Sequence, residues 1–243
     1  MSSPSTSLLK EQTVLPADEV QLFNAVEDKY GGVMVYMEEP MDLNEGFSYH
    51  HAESDYLMLV YWIPDAPDTL PANASHIVGI GAFVMNDKRE VLVVKEKNGF
   101  FKGKDVWKFP TGVVNQGEDI CVAAIREVKE ETGIDTEFME ILAFRQTHQQ
   151  FLGKSDLFFV CMLRPLSFDI KKQDSEIAAA QWMPIDEYVN QTFNRKHKSF
   201  EYIAGICLTK SERNYGGFSA VPTPTSSGKL PYLYFSGKDF KPW

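Results

Sequence analysis

Three glutamates, Glu127, Glu130 and Glu131, crowd into one short segment of this 243-residue chain. Carboxylates this dense have a chemistry open to them that a dispersed acidic surface lacks. Residues Asp119 to Thr132 carry helical periodicity. On a wheel at about 100° per residue from Ile120, the residues Ile120, Ala124, Val128, Cys121 and Ile125 fall at roughly 0°, 40°, 80°, 100° and 140°. That is one apolar face. Glu130, Glu127 and Glu131 fall at roughly 280°, 340° and 20°, an arc that overlaps its edge. Like charges at these spacings repel, the more so when partly buried, so a purely structural helix gains nothing from them. A divalent cation removes the repulsion. Mg²⁺ prefers oxygen ligands, keeps several waters and shares one or two carboxylates with substrate phosphates; Mn²⁺ accepts the same ligands. Arg126, four residues before Glu130, can pair with it on the outer side. For the glutamates alone, a solvated acidic helix face is the plain alternative.

The flanking residues tip the balance. Gly112, Glu118, Arg126, Glu127, Val128, Glu130, Glu131, Gly133 and Ile134 spell Gly, five residues, Glu, seven residues, Arg-Glu-apolar-x-Glu-Glu-x-Gly-apolar. A chance match is on the order of one in ten million. The pattern resembles the Nudix signature at every position. The resemblance implies an α+β Nudix fold, a mixed β-sheet sandwiched between α-helices, with box 112–134 as a loop-helix-loop. It also implies Mg²⁺- or Mn²⁺-dependent hydrolysis of the pyrophosphate bond in nucleoside diphosphate derivatives. By the same resemblance, Glu127 and Glu131 are the principal metal ligands, and Glu130 is a third ligand or takes part in catalysis. Gly112 allows close backbone approach, Glu118 and Arg126 brace the loop against the helix, and Gly133 closes the box. A further catalytic acid from a later loop is expected at Glu176, with Asp174 as runner-up.

The segments GFSYHHAESDYLMLVYWIP, LPANASH, VWKFPTGVVNQGEDI, LAFRQTH, KSDLFFVCML and QDSEIAAAQWMP are similar to a plant group of Nudix hydrolases acting on ADP-ribose and NADH. The likeness implies ADP-ribose first, cut to AMP and ribose 5-phosphate, and NADH second, because the SQPWPFPxS array of another NADH-cleaving group is absent. Coenzyme A derivatives and dinucleoside polyphosphates are other substrates open to the fold, and a non-catalytic nucleotide-binding protein is the alternative class. One departure stands out. Members of the group carry a longer N-terminal domain, whereas here Glu39-Pro40-Met41-Asp42 reaches Glu45-Gly46-Phe47 through only two residues. The shortening leaves a small truncated N-terminal α/β unit, the expected source of any homodimer contact.

Candidate substrate contacts are Phe101, Lys104, Trp107, Arg145 and His148, since aromatic faces stack on bases and cations meet phosphates. Each has a stronger plain reading: Trp107 beside Phe109 and Pro110 as core, and His148 at a strand end as surface. His50 and His51, adjacent in a strand, should point to opposite sides, which argues against a paired-histidine metal site.

These residues need elements to hold them. Residues 1–18 read as a mobile end, 19–75 as the shortened unit and linker, 76–212 as the Nudix domain and 213–243 as a tail. Within 19–75, Gly32 to Met37 and Tyr56 to Trp62 are extended, separated by the polar stretch Glu38 to Ser54. Then Ile77 to Met85 and Glu90 to Val94 read as a hairpin, with strands at Phe138 to Thr147, Leu157 to Leu163 and Ala178 to Met183. Pro184 to Asn190 is a helix with Pro at its first position. Phe200 to Ser211 is the last helix, and a short strand follows at Tyr232 to Phe235. A net charge of -10 argues against nucleic acid as a partner, and the small-molecule nucleotide that the resemblance implies would need a counter-ion. No apolar run is long enough for a membrane, and three widely spaced cysteines suggest reduced thiols in the cytoplasm.

Overall fold

The computed structural model describes residues 25–27, 33–36, 47–68, 70, 73–151, 154–213, 215–223 and 231–236, the side chains of 149–151 excepted. The expected mobile end 1–18 lies outside them. The chain divides into two compact units, Met1–Asn73 and Ala74–Trp243.

In the first unit, β1 (Ala25–Glu27) pairs antiparallel with β2 (Val33–Val35), and β3 (Ser48–Ala52) with β4 (Leu57–Val60). Every regular element among this unit's described residues is a strand, so the helical half of the expected α/β unit is not seen among them. β3 lies within the polar stretch Glu38 to Ser54. A register shift between Tyr49 and His51 also overturns the reading of the two histidines. A bulge interrupts the alternation of sides, and His50 Nδ1 lies 2.6 Å from His51 Nδ1. His51 Nε2 in turn lies 3.2 Å from the Tyr56 hydroxyl.

The second unit is built on a four-stranded mixed sheet in the order β7-β5-β9-β8. It comprises β5 (His76–Val84), β7 (Thr111–Val113), β8 (Thr136–Phe151) and β9 (Lys154–Pro165), with β5 and β9 parallel and the other pairs antiparallel. Side chains alternate across it. Ile80, Ala82 and Val84 face one apolar cluster with Val128 and Ala124 of α1 (Ile120–Thr132). Phe83 faces a second cluster with Ile185 and Tyr188 of α2 (Ile185–Val189) and Ala204 and Cys207 of α4 (Lys198–Glu212). The sheet therefore lies between helices. α3 (Thr192–Lys196) precedes α4. α2 starts one residue later than expected, with Pro184 at the N-cap.

The expected hairpin is not one. β6 (Glu90–Glu96) follows β5 through a turn closed by Asn86, whose Oδ1 accepts the Lys88 and Glu90 N–H groups at 2.9 and 3.0 Å. Beyond a single bridge at Met85 and Val91 the strands part, and β6 pairs with β10 (Ile177–Pro184) in a second sheet. Val91 to Val94 are all fully buried, with Leu92 in the first apolar cluster and Val91 and Val93 in the second, so both faces of β6 are core. In the segment read as a tail, β11 (Ser219–Pro222) pairs with β12 (Tyr232–Phe235), and Phe218 bridges to Ile141 of β8.

Gly133 ends α1 in the left-handed region at φ 73°, and its N–H reaches the Lys129 carbonyl. A Cβ there would also come 2.9 Å from the Lys171 Cβ. Gly133→Ala should therefore cost about 1–2 kcal/mol, read as a lower urea midpoint with an unchanged slope. An unchanged midpoint would mean that the helix end relaxes without strain.

Candidate functional site

α1 positions the acids. Its buried residues are Cys121, Ala123, Ala124, Val128, Glu131 and Thr132, so the buried face is centred nearer the acidic arc than the wheel suggested. Glu131 lies within that face rather than at its edge. It is 6% exposed, and its Oε2 is buried without a hydrogen-bond partner. The Thr111 N–H bonds the Glu131 carboxyl, and the charge of Lys108 acts on it. Burial dominates all the same and pushes the Glu131 carboxyl up to about 7.

The neighbouring acids are arranged differently. Glu127 is largely buried and its carboxyl is also raised, first by desolvation, although Arg126 opposes this. Glu130 is half exposed. Arg126 gathers them: it forks onto Glu118 at 2.7 and 2.8 Å, bonds Glu127 at 2.7 Å, reaches Glu130 at 3.1 Å and donates to the Val113 carbonyl at 3.0 Å. The hydrogen bond from Arg126 holds the Glu118 carboxyl below its ordinary range. Glu118 Oε2 also accepts the Asn115 N–H at 2.9 Å. One guanidinium thus ties the loop to the helix and draws two of the three arc acids toward one point. At Gly112 a Cβ would overlap the Glu127 carboxyl, so only glycine lets the acid lie against the strand.

Among the described residues, no three His, Cys, Asp or Glu side chains converge into a cage that could enclose an ion alone. The set nevertheless suits Mg²⁺ or Mn²⁺. These ions need only one or two protein carboxylates beside waters and substrate oxygens. Glu131 offers an unpartnered buried oxygen, and the Glu127 carboxyl lies against the backbone of Gly112.

The other candidates are scattered. Glu176 is exposed immediately before β10, and its carbonyl accepts the Lys97 N–H at 2.8 Å. Asp174 pairs with Lys172, which lowers its carboxyl. Trp107 packs against the second core, and its backbone is bonded on both sides by the Gln191 amide at 2.9 and 3.1 Å. Lys104 lies 3.5 Å over the exposed Phe100 ring, while Phe101 packs edge-on to Phe193 and Phe200. His148 is exposed, 2.9 Å from the Ser155 hydroxyl.

Arg145 has a more telling place. It pairs with Asp156 at 3.6 Å and lies 5.0 Å over Phe158. The Phe158 ring covers Gly81, where a Cβ would meet both Phe158 and the Thr111 methyl. Thr111 in turn bonds Glu131. A continuous strip of sheet therefore runs from the carboxylates to Arg145, which also lines a hollow of about 230 Å³ between β8 and α4. A larger hollow, about 310 Å³, lies at the β5–β6 turn among Asn86, Lys88, Phe168 and Trp182; none of the box acids lines it.

Sequence reasoning missed Glu96, Lys108 and Thr111. Lys108 is buried, 2.6 Å from Glu96 and hydrogen-bonded to the Thr111 hydroxyl. The one available signal was its setting, a lysine framed by Val106, Trp107 and Phe109.

Comparison with known proteins bears on this geometry. Residues 75–203 match the NUDIX domain. The chain is 51% identical to Nudix hydrolase 2 of Arabidopsis thaliana over 271 aligned positions, covering 95% of this chain and 96% of that protein. It is 48% identical to Nudix hydrolase 7 of the same plant, covering 90% and 92%. Among solved structures, a MutT protein from Methanosarcina mazei superposes with a TM-score of 0.48 at 20% identity, over 59% of this chain and all of that one.

The raised Glu131 carboxyl has a sign that can be measured. Its folded value, about 7, lies above the ordinary 4.5. Its stabilising contribution is therefore complete below 4.5 and is lost as pH rises through about 7. With divalent ions chelated, the wild type should lose melting temperature over that window relative to Glu131→Gln, which has no proton to release. Parallel pH profiles for the two proteins would show that Glu131 is ordinarily solvated.

Proposed function

Since the chain belongs to the Nudix family, we propose that it is a divalent-metal-dependent pyrophosphohydrolase that cuts ADP-ribose, with NADH as its second substrate. The observation that carries this reading is Glu131, a carboxylate buried on the core face of α1 with one oxygen unpartnered, beside a Glu127 that only a glycine could admit. A fold has no structural use for such a group, whereas a hard cation does. The choice of ADP-ribose draws on the likeness of segments outside the box to the plant group.

Glu127 and Glu131 are the residues that would hold Mg²⁺ or Mn²⁺, with Glu130 able to join them directly or through water. When bound, the ion supplies neutralisation of the diphosphate oxygens and an activated water. The chain's own groups do the rest. Arg126 balances the negative charge gathered at Glu118, Glu127 and Glu130. Glu130, exposed and held at only one oxygen, or Glu176 takes the proton from the attacking water. The water oxygen bonds to one phosphorus of the bridge while the bond from that phosphorus to the bridging oxygen breaks, leaving AMP and ribose 5-phosphate from ADP-ribose. NADH gives AMP and reduced nicotinamide mononucleotide. Arg145 and Phe158, on the strip that starts at Thr111, are suited to a phosphate or a base of the bound nucleotide. Lys104 and Trp107, on the loop between Glu96 and Lys108, would border the same substrate, and His148 would stand at its far end. A cytoplasmic location is part of the same proposal, and the three free, buried cysteines suit it.

The test offers ADP-ribose, NADH, coenzyme A and diadenosine polyphosphates to the purified chain with Mg²⁺ or Mn²⁺ and follows the phosphate-containing products. ADP-ribose should be cleaved to AMP fastest, and Glu131→Gln should lower turnover at least about a hundredfold while remaining folded. Preference for another substrate would replace ADP-ribose and leave the metal chemistry in place. Binding without turnover by the folded wild type would favour a nucleotide-binding protein.

A further inference from the structure

The ion pair between Glu96 and Lys108 is not explained by the Nudix signature, which contains neither residue. Glu96 is the last residue of β6, and Lys108 is where the chain returns to that strand, bridged to Val94 by two backbone hydrogen bonds of 2.8 and 3.0 Å. They are the two feet of the 97–107 loop. The Lys108 side chain is only 8% exposed, with its ammonium 2.6 Å from Glu96 Oε1 and donating to the Thr111 hydroxyl. Thr111 gives its N–H to Glu131. One short residue thus joins a buried ammonium to a buried carboxylate, and that carboxylate keeps an oxygen without a partner. The Lys108 ammonium is near enough to act on Glu131 by charge but is held on Glu96 and Thr111 instead.

We infer that Glu96 and Lys108 form a fixed counter-charge beneath the carboxylates, in which Lys108 weakens and Glu96 restores the attraction of Glu131 for its divalent ion. This rests on the reading of Glu131 as a metal ligand. Lys108 is a positioning residue. Its ammonium, on the inner side of the acids, opposes a cation, and Glu96 both cancels part of that charge and keeps the ammonium from turning onto the free oxygen of Glu131. Remove Glu96, and the Lys108 ammonium is left to the carboxylate on which its charge already acts, in direct competition with the ion. Remove Lys108, and the ion meets Glu131 and an uncompensated Glu96 together. The two halves of one ion pair therefore act with opposite sign.

The test is calorimetric titration of Mn²⁺ into the full chain at about pH 8, without nucleotide, for the wild type, Lys108→Met, Glu96→Gln, the double variant and Glu131→Gln. Lys108→Met should bind Mn²⁺ tighter and Glu96→Gln weaker, each on the order of tenfold. The double variant, which leaves neither Glu96 nor Lys108 as a charge without its partner and so keeps the comparison usable if a single variant unfolds, should return to within about threefold of wild type. A structural role alone would weaken binding in both single variants or change neither, and either result overturns the inference while leaving Glu131 as a ligand. Undiminished Mn²⁺ affinity in Glu131→Gln would overturn both the inference and the ligand assignment beneath it.

Discussion

A carboxylate buried on the core face of a helix is expensive, on the order of several kcal/mol if it stays charged and unpaired, and Glu131 occupies that position in α1. Much of the surrounding architecture answers to it. The helix cannot turn Glu131 outward without also exposing Ala124 and Val128, which are fully buried against Ile80 and Ala82 of β5. β7 must then pass close enough for the Thr111 N–H to reach the acid, and its next residue must be glycine, because Glu127 lies where a Cβ would be. Core packing and site precision are here one constraint, since the apolar contacts that fix the helix also aim its acids.

Arg126 completes the arrangement from the opposite side. Its bidentate grip on Glu118 anchors the loop before the helix, and its other nitrogens hold Glu127 and Glu130. Like charges that would otherwise push apart are kept within reach of one another by a cation that cannot lose its proton. Glu131 stays outside this grip and feels the charge of a different cation, Lys108. The parting of β5 and β6 into two sheets makes that second contact available. β6 carries Glu96 and Val94 away from β5 to where the returning chain sets Lys108 beside Thr111.

What could be read from the sequence divides along the line between local and non-local physics. The helix, its αL glycine and the spacing of its acids are set by neighbours in the chain, and the expected helix Asp119 to Thr132 agrees with α1 and its N-cap. β12 is found where the short apolar run predicted it. The β5–β6 turn was legible as well, but which strand each one pairs with depends on β9 and β10, far along the chain, and a turn signal says nothing of that. The histidine pair failed for a related reason: alternation holds only until a bulge shifts the register, and no residue of SYHHA announces one. Lys108 was passed over because a lysine is ordinarily a surface residue; its burial follows only once Glu96 is known to face it.

The first unit supplies none of the candidate site residues. The alignment with Nudix hydrolase 2 runs over more positions than this chain has residues, although it uses 95% of the chain. The relative must therefore carry residues where this chain has none, as the short step from Asp42 to Glu45 already indicated. Glu96, Lys108, Thr111, Gly112, Glu118, Arg126, Glu127, Glu130 and Glu131 all belong to the second unit. Their contacts with one another, from the Arg126 fork to the Thr111 link, are made within that unit too. The carboxylates are held by packing and charge that a shortened first unit does not supply. The geometry of the carboxylates stands on the second unit alone.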